Sequence, residues 1–565
     1  MTKFPVAALA AGFVVATATA GEPQALERKL IACGHEFYPR SPTEVLAHAD
    51  QFDRTGLNGV QLMLSGTLPD GRTISTKTLP IDPEWPADAF AAEIPALRKM
   101  SEHRGLRDSC LLLFRTPDRR IAWTDDAAWT RVAWNMRVLA RIAKEGGIRG
   151  FLMDTEDYPQ QCQFKAMPGD PAYGELAPLV RRRAQDLFRG VFEEQPEAVV
   201  LSFWLLTQSL GGAMGTEPSG SLETSGDVWP AFVNGILDVI PPSAKLVDGC
   251  EWAYNYEAER DEFVKSSLWQ RENALAMVAP ENRTKYRGQV LASSGHYMDR
   301  YLERDPKAYW YAAPVEGSYL RHLERNLVQA SEASGGYVWF WCEKRCWVKW
   351  DGKLEMFAPH VSHRTWEDEL PGLSKMLSAI TFPGQFARER VKELKQANAL
   401  VNLVPDDAIE SGLFKTWEDS SPWLHASKGT FGVDRTTGDG DKESLMTTGV
   451  GAGGYKYAVK NAKGGEIYLI RVSAKGENPY VYVEGWDMSR WYRGLPGCVI
   501  PLKPVKGSDW LHGTAFVRVP DNTIAFTVYL NSRNTKSGRN WFDNLEVYRI
   551  WGGPYPDVTT GKKGE

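Results

Sequence analysis

Short apolar runs alternate with longer amphipathic stretches through the first two thirds of the chain. The runs are Leu30 to Cys33, Gly59 to Leu64, Cys110 to Phe114, Gly150 to Met153, Val199 to Trp204, Leu246 to Cys250, Gln289 to Ala292 and Tyr337 to Trp341. Apolar positions recur every 3.6 residues between several of them, most clearly in Ala127 to Ala143, Leu176 to Phe192, Phe232 to Ile240 and Tyr319 to Ala330. Runs this short and apolar predict strands buried on both faces, and the stretches between them predict helices that cover the sheet. Eight such units over roughly 350 residues predict an α/β fold, a (β/α)8 TIM barrel with long loops. An open doubly wound sheet would need a Gly-rich phosphate turn after its first strand, and Ile31-Ala32-Cys33-Gly34-His35-Glu36 is not one.

The texture changes near residue 395. From Ala399 onward, short alternating segments (Gly465 to Ser473, Pro479 to Gly485, Thr514 to Val519, Asn522 to Leu530, Trp541 to Ile550) are separated by turns rich in Gly, Asn, Asp and Ser. This predicts a second, all-β sandwich. The expected organisation is a signal segment at 1–20, a barrel at 21–385, a linker at 386–400, a sandwich at 401–553 and a polar tail at 554–565.

Composition narrows the function. The 66 Lys and Arg against 71 Asp and Glu give a net charge of −5 with no long basic tract, which excludes a general nucleic-acid binder. The excess is aromatic, with 21 Trp, 21 Tyr and 22 Phe, rings that belong in a core or a ligand groove. Lys3, the apolar run from Val6 to Ala16 and Ala18-Thr19-Ala20 before Gly21 predict a secretory signal cleaved after Ala20. No later stretch is apolar for the ~20 residues a membrane span needs. The expectation is a secreted or periplasmic, monomer-capable protein without an integral membrane partner. Seven cysteines are too few for a disulfide scaffold of this length, although a local bridge between Cys342 and Cys346 is one expectation, with zinc as its competitor.

Chemistry in a barrel sits just beyond the strands. The fourth run ends in Asp154-Thr155-Glu156-Asp157-Tyr158, the sixth in Glu251-Trp252-Ala253-Tyr254 and the eighth in Trp341-Cys342-Glu343. Carboxyls packed against aromatics lose solvation, which raises the pKa and prepares a neutral acid for proton donation. Glycosidic cleavage needs one such acid and a second carboxylate as base or nucleophile. Glu156 is the first choice for the acid, with Asp154 two residues before it on the same strand face, and Glu251 or Glu343 is the second carboxylate. Candidate sugar-binding residues are His35, Glu36 and Tyr38, Arg115, Trp204 and Gln208, Trp252 and Tyr254, His296 and Tyr297, and Trp341. No Gly-x-Ser-x-Gly elbow or His-Glu-x-x-His helix is present, and no organic cofactor or catalytic metal is implied.

Taken together, the chain resembles secreted glycoside hydrolases that join a TIM barrel to a C-terminal jelly roll. The closing run Trp541-Phe542-Asp543-Asn544-Leu545-Glu546-Val547-Tyr548, with Asn402-Leu403-Val404 and the Trp423 region, resembles the carbohydrate-binding-like modules appended to such enzymes. That resemblance allows a structural calcium ion in the sandwich. Gly150 to Glu156 is similar to the fourth-strand Asp-x-Glu motif of family-18 chitinases, where the Glu is the acid and the Asp positions the substrate's N-acetyl group; Arg149 and Leu152 stand where that pattern has further Asp residues. The implied activity is hydrolysis of a polysaccharide or glycan. A catalytically inactive extracellular glycan-binding protein and a polysaccharide lyase are the alternatives.

Overall fold

The computed structural model describes residues 28–209, 222–351, 361–418, 429–486, 491–492, 499–521, 523–533 and 538–552. The expected signal segment and polar tail, Trp423 and Cys498 lie outside the described residues.

Two bodies follow one another along the chain. The first is a nine-stranded parallel sheet with helices packed on its outer face. In chain order its strands are β1 (Lys29–Gly34), β2 (Gly59–Leu62), β3 (Cys110–Arg115), β4 (Gly150–Asp154), β5 (Val199–Ser202), β6 (Lys245–Asp248), β7 (Val290–Ala292), β8 (Gly295–Tyr297) and β9 (Tyr337–Cys342). Their spatial order is β8-β9-β1-β2-β3-β4-β5-β6-β7. The two edge strands are thus consecutive in sequence, with only Ser293 and Ser294 between them. Ser293 N–H donates to Asp248 O at 3.0 Å and Trp339 N–H to Ser294 O at 3.2 Å, so this junction bonds to the strands on both sides.

The sheet is strongly curled. Trp339 of β9 stacks on Phe203 at the end of β5, with ring centroids 4.1 Å apart. On a flat sheet five strand spacings would separate them by roughly 24 Å. Strand periodicity sorts the side chains accordingly. Ile31, Cys33, Leu112, Leu152, Leu201, Val247 and Trp339 form one inner cluster, whereas Leu30, Ala32, Leu111, Leu113, Phe151, Met153, Val338 and Phe340 pack outward against the helices. Asp154, two residues beyond Leu152, and Trp341, two beyond Trp339, therefore belong to the inner face.

Two of the longer helices start where the sequence supplies a cap. Asp125 accepts from Ala128 N–H at 2.9 Å to open Asp126–Glu145, and Ser318 accepts from Arg321 N–H at 3.2 Å to open Tyr319–Ala333. Among the described residues, no helix is long and apolar enough to cross a membrane.

The second body consists of two antiparallel sheets sharing a core of Val472, Val481, Val483, Phe526, Val528 and Val547. Arg539–Trp551, the closing segment singled out in the sequence, pairs with both Ile467–Gly476 and Ser444–Thr448. The stretch expected as a linker, 386–400, carries most of helix Pro383–Gln396. Phe386, Ala387 and Val391 of that helix pack on Ile467, Leu469 and Ile550, so an apolar contact joins the two bodies.

Candidate active site

A cavity of about 400 Å³ opens at the C-terminal ends of the parallel strands. It is lined by His35, Tyr38, Arg115, Asp154, Glu156, Tyr158, Phe203, Glu251, Tyr254, Tyr297, Trp310, Trp341 and Glu343. The four carboxyls singled out in the sequence, Asp154, Glu156, Glu251 and Glu343, thus share one space.

Each is delivered by a short, well-fixed segment. Asp154 ends β4, where Arg115 Nε of the neighbouring strand lies 3.5 Å from its Oδ2. Glu156 N–H points back to Asp154 Oδ1 at 3.5 Å, and the Tyr158 hydroxyl hydrogen-bonds the Glu156 carboxyl. Glu251 follows a tight turn in which Cys250 adopts φ 44°, the left-handed region that a side chain rarely enters. The fully buried Asp248 holds this turn, accepting from Cys250 N–H at 3.2 Å, Leu205 N–H at 3.2 Å, Thr207 N–H at 3.2 Å and the Thr207 hydroxyl at 2.6 Å. Glycine is required beside it, because a Cβ on Gly249 would meet Trp339 Nε1 at 2.8 Å. Glu343 lies just past β9, with Oε1 accepting from Trp341 Nε1 at 3.0 Å and Oε2 from the Tyr297 hydroxyl at 3.0 Å.

The electrostatics separate the four. Glu251 Oε2 is buried and has no hydrogen-bond partner, so little in the protein compensates a charge there. Burial, followed by the charges of Glu156 and Asp154, pushes the Glu251 carboxyl up to about 9, against a hydrogen bond from Trp204. At neutral pH it is an acid that still carries its proton. Burial and then the charge of Glu156 push Asp154 up to about 6, opposed by Arg115.

Aromatic rings complete the walls. Tyr254 and Tyr297 stack at 5.5 Å, and Trp310 packs on Tyr297 at 4.7 Å. Trp341 meets His35 at 5.5 Å and Tyr38 at 6.4 Å. Trp310 and Phe203 were not among the sequence candidates. Trp310 sits in an irregular segment between β8 and Tyr319–Ala333, where no periodicity marks a facing direction.

Other candidates lie off the cavity. Trp204 packs edge-on against Trp252 at 4.8 Å, Trp252 Nε1 donates to Thr207 O at 3.2 Å, and Gln208 Nε2 donates to Thr155 O at 3.3 Å. Two expectations are corrected. His296 occupies the outward position of β8, stacked on Phe263 at 5.4 Å, and burial pushes its imidazole down to about 3, so it contacts the core and not a sugar. Glu36 is 1% exposed beneath the loop after β9, where its carboxyl accepts from Trp347 N–H at 2.9 Å and Trp350 Nε1 at 2.8 Å. The expected Cys342 to Cys346 bridge is also absent: both thiols are free and buried. Among the described residues, the one group of three side chains able to converge on a metal ion is Asp50, Asp53 and His103, outside this cavity.

Glu36 yields a stability prediction. Burial lifts its carboxyl from 4.5 to about 8, so between those values the folded chain holds a proton that the unfolded chain has released. Its contribution is complete below about pH 4.5 and is lost as pH rises through about 8, a difference on the order of 5 kcal/mol. The melting temperature is therefore expected to fall between pH 5 and pH 9, and to fall less in Glu36→Gln, as scanning calorimetry would show. An equal fall in both proteins would remove Glu36 as a cause.

No protein-family model and no curated protein matches the chain. Among solved structures it is similar to one titled "Glycoside hydrolase", at 8% identity and a TM-score of 0.31, covering 89% of this chain and 92% of that one. It is also similar to the C-terminal family 22 carbohydrate-binding module of Clostridium thermocellum Xyn10B, at 17% identity and a TM-score of 0.20, covering 25% of this chain and 87% of the module. A third similarity, at 12% identity and a TM-score of 0.20, is to the enzymatically active domain of bacteriophage CBA120 tailspike protein 4, covering 24% of this chain and spanning only 19% of that one. Likenesses this weak carry no assignment, and function rests on the site itself.

Proposed function

We propose that the chain hydrolyses glycosidic bonds in an uncharged polysaccharide or glycan, with Glu251 as the general acid and Glu343 as the second carboxylate. The observation that carries this reading is the contrast between the two groups on one cavity. Glu251 is buried with an uncompensated oxygen and stays protonated, whereas both Glu343 oxygens accept hydrogen bonds from fixed donors that complement a carboxylate. Glu251 would give its proton to the glycosidic oxygen as the C–O bond breaks. Glu343 would attack the anomeric carbon or take a proton from the attacking water. In this reading Glu156 and Asp154 act on Glu251 through their charge, and Arg115 balances Asp154. The Tyr254, Tyr297, Trp310 and Trp341 rings offer flat faces for the C–H surface of a pyranose.

We read the curled sheet as a (β/α)8 barrel in which β7 and β8 are two halves of one interrupted strand. The cavity then lies where barrel enzymes place chemistry. With Glu251 neutral, the carboxyls of Asp154, Glu156 and Glu343 still outnumber the Arg115 guanidinium, which makes the space unfavourable for an acidic sugar and argues against lyase action on a uronate. The test is incubation of the purified protein with a broad panel of defined glycans, read by mass spectrometry. Saturated shorter products are expected. Products with unsaturated ends would establish a lyase, and tight binding of a panel glycan without any product would establish a binding protein.

A further inference from the structure

Glu343 is held by more than the two donors that face it. β9 ends at Cys342, so the N–H groups of Glu343 and Lys344 lie beyond the last sheet pairing. Both are satisfied by one side chain. Asp299 Oδ2 accepts from Glu343 N–H at 2.7 Å and Oδ1 from Lys344 N–H at 3.1 Å. Asp299 is 2% exposed and does not line the cavity, so it is placed to act on the backbone and not on a sugar. It belongs to the turn Met298–Leu302 that immediately follows β8, and Tyr297, the last residue of β8, supplies the hydroxyl on Glu343 Oε2. One short segment therefore fixes Glu343 at its main chain through Asp299 and at its carboxylate through Tyr297. Trp341, two residues before Glu343, fixes the other oxygen. A fork of two amide bonds restrains both position and rotation of the Glu343 main chain, which a single bond would not.

We propose that Asp299 is a positioning residue, clamping the Glu343–Lys344 backbone so that the Glu343 carboxylate meets the donors of Tyr297 and Trp341. The catalytic consequence rests on the glycosidase reading above; the geometric one does not. Without the clamp, the N–H groups of the half-buried Glu343 and the exposed Lys344 lose their shared acceptor, and the segment is no longer held in place. A displacement of about 1 Å at a reacting carboxylate is enough to lower turnover about 100-fold.

The test has two arms. Crystal structures of the wild type, Asp299→Ala and Asp299→Asn require no substrate. In Asp299→Ala the Glu343 carboxyl is expected to shift by about 1 Å or more and to lose its bond to Tyr297 or Trp341, whereas Asp299→Asn, with one acceptor oxygen left, keeps it nearer its place. On a panel glycan that the wild type cleaves, kcat is expected to fall about 100-fold in Asp299→Ala and about 10-fold in Asp299→Asn, with KM within about twofold. In a Glu343→Gln background Asp299→Ala should then lower kcat by less than about twofold, because its effect passes through Glu343. Should the alanine variant fail to fold, the asparagine variant carries both arms. An unmoved Glu343 with both bonds intact overturns the proposal, as does an equal loss of kcat in the two backgrounds. If the wild type cleaves no glycan, the hydrolase reading fails and the crystal structures alone decide the clamp.

Discussion

Glu251→Gln is expected to lower turnover of a cleavable glycan by about 10³-fold while the protein becomes harder to unfold at pH 8. The two effects have one origin. Burial and the charges of Glu156 and Asp154 hold the Glu251 proton up to about 9, so above the ordinary carboxylate range the folded state carries a cost that the unfolded chain avoids. That cost is absent below about pH 4.5 and grows as pH rises through 9; glutamine, which does not titrate, removes it. The same substitution removes the proton that the leaving oxygen needs. Loss of activity with a rise in melting temperature separates a missing acid from a damaged fold, and substrates with good leaving groups should lose less than natural glycosides. Glu156→Gln should behave differently. It removes a charge that helps keep Glu251 protonated, so the alkaline limb of the pH–rate profile is expected to move to lower pH while turnover persists at acidic pH. Abolished turnover in Glu156→Gln with an active Glu251→Gln would return the acid role to Glu156.

The strand positions other than β8 were legible in the sequence because each carries a short, mostly apolar run, and the acids just beyond β4, β6 and β9 could be read from that alone. What it left open was how their environments differ. Glu156 and Glu251 look alike in sequence, each beside aromatic residues, yet the buried, uncompensated oxygen belongs to Glu251, through a left-handed turn at Cys250 held by Asp248 that no periodicity announces. Glu36 and His296 were misplaced for a related reason. Proximity to a strand end does not give direction: His296 falls on the outward side of β8, and Glu36 turns beneath Trp347 and Trp350, more than 300 residues away in sequence. Asp299 was overlooked because the expected seventh strand ended at Ala292; the structure places a further strand, Gly295–Tyr297, before the turn that carries it. That Trp339 and Trp341 both face inward follows from alternation only once Trp339 is seen against Phe203.

Glu324→Ala is expected to uncouple the two bodies of the chain. Glu324 is fully buried in helix Tyr319–Ala333, where its oxygens accept from Arg321 of the same helix at 2.6 Å and from Arg518 of the antiparallel body. Arg321 also donates across the junction to Gly464 O at 2.8 Å and Asp521 Oδ1 at 2.6 Å, and Arg325 Nε reaches Asp521 Oδ2 at 3.0 Å. Glu324 is thus the carboxylate that draws a guanidinium from each body into one buried cluster. Removing it leaves both cations desolvated without that counter-charge, a loss of about 3–5 kcal/mol. The apolar contact of Phe386, Ala387 and Val391 with Ile467, Leu469 and Ile550 remains, so each body should keep its own core. Calorimetry of the variant is expected to show a transition split in two or moved to lower temperature, with faster proteolysis between residues 397 and 401. A matching loss in Arg518→Ala, with little further loss in the double variant, would assign the effect to this pair. A single unchanged transition in Glu324→Ala would instead place the docking energy in the apolar contact.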